Sequence, residues 1–246
     1  MQLRKSLGQN FLKDKNYLLR ISNYVGDSDS ILEIGPGGGA LTNYLLRAKR
    51  VVAIEKDPRF AELLKGKNHP NLEVIEGDVL DVDLFKLEVS KVVANIPYYI
   101  TTPIVKKLLF GSNVKEIMLT IQREVAERIV ALPGSKRYGL LSLMVQYYGD
   151  AELLFLIPPG AFTPPPKVES AFIRIVKRSK YNGDSEKFFK CAKKLFSTRR
   201  KTILNNLSAG NKLAVEKELM DLNLDPKLRA EMLTIEQIIE ISERLF

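Results

Sequence analysis

Short apolar runs and helical patterns take turns along the first 180 residues, and that alternation restricts the fold more than any other feature. Apolar runs at Ser30–Ile34, Arg50–Ile54, Asn71–Ile75, Val89–Ala94 and Val114–Ile121 read as buried strands. Helical patterns over 15–25, 40–48, 58–65 and 101–110 lie among them, and two more follow over 123–131 and 139–148. Such βαβα order implies an α/β fold with a mostly parallel, doubly wound sheet covered on both faces. Two late strands, Ala151–Ile157 and Glu169–Val176, sit close together and add an antiparallel strand at one edge. From Asp184 to Phe246 only helical periodicity remains. The expected organisation is therefore a domain over 1–180, a linker at Lys180–Gly183, and a small all-helical domain over 184–246.

The first strand runs into Glu33-Ile-Gly35-Pro-Gly37-Gly38-Gly39-Ala40. Glycines there let the backbone turn tightly and approach a ligand at a helix N-terminus. Gly35-x-Gly37-x-x-Ala40 with Glu55 twenty residues on fits a dinucleotide fingerprint. Glu33 argues for another ligand, because a carboxylate beside the loop repels pyrophosphate and welcomes an ammonium or sulfonium centre. Asp78, in Gly77-Asp78-Val79 after the third strand, can accept from the amino group of an adenine. Glu33, Glu55 and Asp78 at one sheet edge describe a pocket for a cationic nucleoside, and S-adenosylmethionine is that ligand.

Asn95-Ile96-Pro97-Tyr98 follows the fourth strand, where ligands bind in open α/β sheets. The amide oxygen of Asn95 and a backbone carbonyl can accept from a ring amine while Tyr98 covers a face. Alone, the tetrapeptide also reads as a turn signal. With one cysteine, Cys191, and one histidine, His69, the chain nearly excludes zinc sites and Cys-His or Ser-His nucleophile systems. No metal is expected, and Cys191 reads as a small core residue. A net charge of +9 favours polyanions. No window approaches a membrane span and the N-terminus lacks the apolar stretch of a signal peptide, so a cytoplasmic protein is expected.

Taken in order, these motifs resemble the KsgA family of ribosomal RNA adenine dimethyltransferases over nearly the whole chain. Ser6-Leu-Gly-Gln-Asn10-Phe11-Leu12, Glu33 to Thr42, Glu55-Lys-Asp57, Glu76-Gly-Asp78, Asn95 to Tyr98, Phe162 to Ser170 and Phe196 to Asn206 carry the resemblance. It implies a Rossmann-like class I methyltransferase sheet. Gln9, Asn10 and Leu12 would line the cofactor's methionine end, with Gly35 and Gly37 passing under it. Glu55, followed by Lys56, would hold the ribose, and Asp78 with Val79 the adenine. Asn95 would meet the substrate amine beside the sulfonium, with Ile96 and Pro97, and the base would stack between Tyr98 and Phe162.

The activity implied is N6,N6-dimethylation of adenosines in small-subunit (16S) ribosomal RNA, within an assembling subunit, by a monomer. Arg4, Lys5, Lys187, Lys190, Lys193, Lys194, Arg199, Arg200 and Lys201 are the candidates for gripping RNA. Four alternatives are a macrolide-resistance type large-subunit methyltransferase, a non-catalytic ribosome-assembly protein that binds RNA, a nicotinamide oxidoreductase, and an adenine methyltransferase of DNA, whose catalytic tetrapeptide Asn95 to Tyr98 resembles. The likeness of the helical C-terminal domain argues for ribosomal RNA over the last. The Arg199-Arg200-Lys201 signature with Leu204-Asn205-Asn206 favours the small-subunit enzyme over the first.

Overall fold

The computed structural model describes residues 10–208 and 210–246. Its strands are β1 (Phe11–Leu12), β2 (Ser30–Ile34), β3 (Arg50–Glu55), β4 (Leu72–Glu76), β5 (Lys91–Asn95), β6 (Glu116–Gln122), β7 (Gly149–Ile157), β8 (Phe162–Thr163) and β9 (Ser170–Lys177). The α-helices are α1 (Lys15–Ser22), α2 (Thr42–Leu45), α3 (Pro58–Lys65), α4 (Thr101–Phe110), α5 (Arg123–Ile129), α6 (Leu140–Tyr148), α7 (Ser185–Leu195), α8 (Ile203–Leu207), α9 (Lys212–Asp221) and α10 (Ile235–Leu245).

Seven strands form one sheet in the order β4-β3-β2-β5-β6-β9-β7. The five from β4 to β6 are parallel, and β9 runs antiparallel to β6, pairing Gln122 with Ser170 at one end and Glu116 with Val176 at the other. The antiparallel pairing expected towards one edge is present, with β7 outside it. Val51, Val52, Ala53 and Ile54 of β3 are all buried, as both faces of a covered parallel sheet require. Strand order reverses between β2 and β5. That reversal opens a crevice beyond the carboxyl ends of the strands.

Local chemistry fixes the helix starts around this crevice. Asp57 caps α3, accepting from the Arg59 N–H at 3.2 Å, and Pro58 pre-sets the first turn. The expected helix over 40–48 is reduced to the single turn of α2, whose N-cap Leu41 offers no side-chain acceptor. The short strand β1 pairs antiparallel with β8, and the Lys13 and Asp14 N–H groups both donate to the Ala161 carbonyl. This pins Asn10 and Phe11 in place.

Two compact units emerge from the Cα packing: one up to Ala126 with Asp150–Arg178, the other Glu127–Gly149 with Ser179–Phe246. The sequence reading divided the chain near residue 180; the packing assigns 127–149 to the C-terminal helices instead. Tyr138 and Tyr147 belong to the same apolar core as Phe188, Cys191 and Leu195, and the Tyr147 and Phe188 rings stack at 4.4 Å. Among the described residues, no helix is long and apolar enough to cross a membrane.

Candidate functional site

A cleft with about 720 Å3 of empty space, part of it open to solvent, lies at the carboxyl ends of β2, β3, β4 and β5. It is within the usual range for small-molecule sites, roughly 300–1,000 Å3. Its floor is the glycine loop. Gly35 and Gly37 take φ of +65° and +53°, backbone that side-chain-bearing residues rarely adopt. At Gly37 a Cβ would overlap Cε1 of Phe11 and stand 2.9 Å from its Cδ1. The absence of a side chain is what lets the Phe11 ring close over the loop.

Carboxylates and amides face this floor. Glu55 Oε2 accepts from the Gly37 N–H and Oε1 from the Asp57 N–H, each at 2.8 Å. Burial pushes the Glu55 carboxyl above its ordinary value, and the backbone donors of Asp57 and Gly37 oppose that shift. Asp78 accepts from Lys56 Nζ at 2.7 Å and from the Leu80 N–H at 2.9 Å. The Lys56 hydrogen bond, with the Leu80 donor behind it, holds Asp78 below the usual carboxylate value. Asn95 ends β5, and its Nδ2 donates to the Asn10 carbonyl at 2.9 Å. The amide is thereby oriented, with its nitrogen committed to the protein and its oxygen available as an acceptor.

Of the cofactor residues expected from sequence, Asn10, Gly35, Gly37, Glu55, Lys56, Asp78, Val79 and Asn95 all line the cleft, as do Ile96 and Pro97. Leu12 and Glu33 do not. Leu12 is buried in the core with Leu18 and Phe162. Glu33 is 1% exposed behind the wall, and its Oε2 has no hydrogen-bond partner. Burial pushes its carboxyl up to about 8, the Thr42 hydroxyl opposing this and the Glu55 charge adding to it. The expected charged rim at Glu33 is thus a buried carboxyl. Strand side chains alternate faces, and with Ile34 turned to the cleft Glu33 falls on the other side.

Tyr98 and Phe162 are also absent from the lining. The Tyr98 hydroxyl pairs with Ser170 Oγ at 2.6 Å, and burial raises its pKa. Phe162 is 1% exposed and packs among core residues beside Phe155 and Phe172, so its ring is a core anchor and not an open stacking face. Phe11, Tyr99 and Ile100 line the cleft without having been singled out. Phe11 lay inside the N-terminal motif and Tyr99 directly after the tetrapeptide, so adjacency was the available signal. Arg4, Lys5 and Gln9 lie outside the described residues.

The C-terminal unit carries the other candidates. Lys187, Lys190 and Lys194 follow at three- and four-residue spacing on α7, which places them along one side. Lys190 and Lys194 hold their ammonium groups 5.8 and 5.5 Å from the Phe246 ring centroid. Lys193 is exposed on a neighbouring side of the helix. Arg199 is tied down: Nη2 donates to the carbonyls of Lys136 at 2.6 Å and Tyr138 at 3.0 Å, and meets Glu231 at 3.3 Å. Arg200 and Lys201 are exposed.

The profile of ribosomal RNA adenine dimethylases matches residues 1–246 of this chain. A ribosomal RNA small subunit methyltransferase A from Halothermothrix orenii is 42% identical, covering 100% of this chain and 89% of its own. The protein of the same description from Alkaliphilus oremlandii is 46% identical over 95% of this chain and 88% of its own. Among solved structures, a dimethyladenosine transferase from Plasmodium falciparum superposes with a TM-score of 0.82 at 28% identity, covering 94% of this chain and 95% of that one. The 23S rRNA methyltransferase ErmE superposes with a TM-score of 0.76, also at 28% identity, over 96% and 99%.

Proposed function

The chain belongs to the ribosomal RNA adenine dimethylase family, and on that footing we propose that its cleft performs S-adenosylmethionine-dependent N6,N6-dimethylation of adenosines in small-subunit (16S) ribosomal RNA. The residues present suit that cofactor. Left-handed glycines bring backbone N–H groups to the floor, a Cβ at Gly37 would fill the space taken by Phe11, and two carboxylates line the walls. Glu55 is placed to accept from ribose hydroxyls and Asp78 from an adenine amino group. Bound there, the cofactor supplies a methyl group activated by a sulfonium centre.

The observation that carries the reading is the tether of Asn95. With Nδ2 held by the Asn10 carbonyl, the side-chain oxygen is left to accept an N6 hydrogen of the substrate adenine, and the Ile96 carbonyl can take the other. Two acceptors draw the amine toward a pyramidal shape and aim its lone pair. The contribution is positioning and electrostatics, so no general base is needed before attack. This suits a chain with a single histidine, His69, that is exposed and away from the cleft. A flipped adenine must reach these acceptors from outside the stack; Tyr98, held by Ser170 and outside the cleft lining, is not the ring that covers it. Lys187, Lys190, Lys194, Arg200 and Lys201 supply contacts to RNA phosphates. The enzyme acts as a monomer on an assembling subunit in the cytoplasm.

Large-subunit methylation is the competing reading, supported by the likeness to ErmE. The 42–46% identities to small-subunit enzymes weigh more heavily. Mass spectrometry of both ribosomal RNAs after incubation with the protein and S-adenosylmethionine separates them: dimethyladenosine is expected in the small-subunit RNA. Asn95→Ala should lose about a hundredfold or more in methylation rate while binding S-adenosylhomocysteine with near-normal affinity. Methylation of 23S RNA alone, or an undiminished rate in Asn95→Ala, would refute the assignment.

A further inference from the structure

One cleft residue has no task in that mechanism. Tyr99 lines the cleft although its side chain is 59% exposed. It sits in the 3-10 turn Tyr98–Ile100, directly after Pro97, whose ring stiffens the start of that turn. An aromatic ring this open beside a concave site presents a π-face that protein packing has not covered.

Its neighbours indicate which ligand the ring would meet. Lys56 is bonded to Asp78 at 2.7 Å, and Tyr99 lines the same cleft as both. Tyr99, Lys56 and Asp78 therefore border one ligand space. Asn95, the residue assigned to the substrate amine, is tethered elsewhere, to the backbone of Asn10. Asp78 and Val79 are the residues placed to hold the cofactor's adenine, and a purine offers a flat partner for an aromatic ring.

We propose that Tyr99 is the aromatic cover of the cofactor's adenine, closing from the rim over the purine held by Asp78 and Val79. The proposal rests on reading the cleft as the S-adenosylmethionine site. It adds a residue that sets cofactor affinity and that the tetrapeptide itself does not contain. Base–aromatic stacking is commonly worth enough that removal of the ring weakens binding about tenfold. The phenol hydroxyl is not required, so Tyr99→Phe should bind within about twofold of the unaltered chain.

The chain contains no tryptophan, which makes Tyr99→Trp a unique reporter in the full-length protein. Its emission should change saturably with S-adenosylhomocysteine and with 5′-methylthioadenosine, and not with methionine. Calorimetry should show Tyr99→Ala binding S-adenosylhomocysteine about tenfold more weakly, with KM for ribosomal RNA unchanged. Unresponsive indole emission from a Tyr99→Trp variant that calorimetry shows to bind S-adenosylhomocysteine would overturn the proposal and leave the cofactor assignment standing. So would a Tyr99→Ala defect confined to the KM for RNA, which would place the ring on a substrate nucleotide. Failure of the unaltered chain to bind S-adenosylhomocysteine would overturn the cofactor assignment and this proposal together.

Discussion

Replacing Gly37 by alanine tests whether the glycine loop and the Phe11 ring form one fitted wall of the cleft. The φ of +53° at Gly37 costs an alanine about 1–2 kcal/mol. Its methyl group would overlap Phe11 Cε1 and lie 2.9 Å from Cδ1, so the ring must move. Phe11 cannot swing as a unit, because its backbone is paired with Thr163 and the neighbouring Leu12 is buried. The side chain alone must rotate, giving up its edge contact with Phe60 at 5.5 Å, which is worth about 1 kcal/mol. Together these come to about 2–3 kcal/mol, a fall in Tm of about 5–10 °C for a chain of this size. A displaced Phe11 also intrudes on the cleft and disturbs the Gly37 N–H that Glu55 accepts. S-adenosylhomocysteine affinity should therefore drop at least about tenfold. Gly38→Ala is the control, since nothing lies within 4 Å of its Cβ position and its φ is not left-handed. Calorimetric titration and thermal melts of the two variants give the answer. If Gly37→Ala matches Gly38→Ala in both, the wall is not fitted and the account of the loop is wrong.

Two further predictions concern charge. Glu33 in the folded chain holds its proton up to about 8, against 4.5 ordinarily; between those values only the folded state is protonated, so its contribution to stability falls as pH rises. Glu33→Gln, neutral throughout, should gain Tm relative to the unaltered chain from pH 5 to pH 8, and a pH-independent difference would show that Glu33 is ionised. Replacing Lys187, Lys190 and Lys194 by alanine should flatten the plot of log affinity for ribosomal RNA against log salt by about 2–3 units of slope, with S-adenosylhomocysteine binding unaltered; an unchanged slope would remove the α7 stripe from the RNA contacts.

What could be read from the sequence, and what could not, follows from how each residue is placed. Gly35, Glu55, Asp78 and Asn95 were legible because each sits in or beside the loop at the end of a strand, and the sheet topology brings those ends to one edge whatever the packing behind them. Residues whose side-chain direction depends on a local turn were not. Glu33 and Ile34 are adjacent, yet one lies behind the wall and the other on it, because the strand alternates and the sequence does not state where alternation gives way to loop. The same holds after Pro97. In a 3-10 turn successive side chains point about 120° apart, so Tyr98 turns to Ser170 while Tyr99 reaches the rim. A pattern that names an aromatic at this loop cannot choose between two consecutive tyrosines.

Long-range packing decided the remaining differences. Arg199 in a basic run looks like a phosphate ligand until the carbonyls of Lys136 and Tyr138, more than sixty positions earlier in the chain, are seen to accept from it. Residues 127–149 likewise read as part of the sheet domain by chain order, and only the burial of Tyr138 and Tyr147 against Phe188 and Leu195 moves them to the helical unit. In both cases the determining partner is distant in sequence, and no local period carries that information. The cleft largely escapes this difficulty because its polar residues answer mostly to backbone: Glu55 to the N–H groups of Gly37 and Asp57, Asn95 to the carbonyl of Asn10, and Asp78 to the Leu80 N–H as well as to the Lys56 side chain. Backbone partners are supplied by the fold at fixed positions, and side chains that depend on them are held wherever the fold is formed.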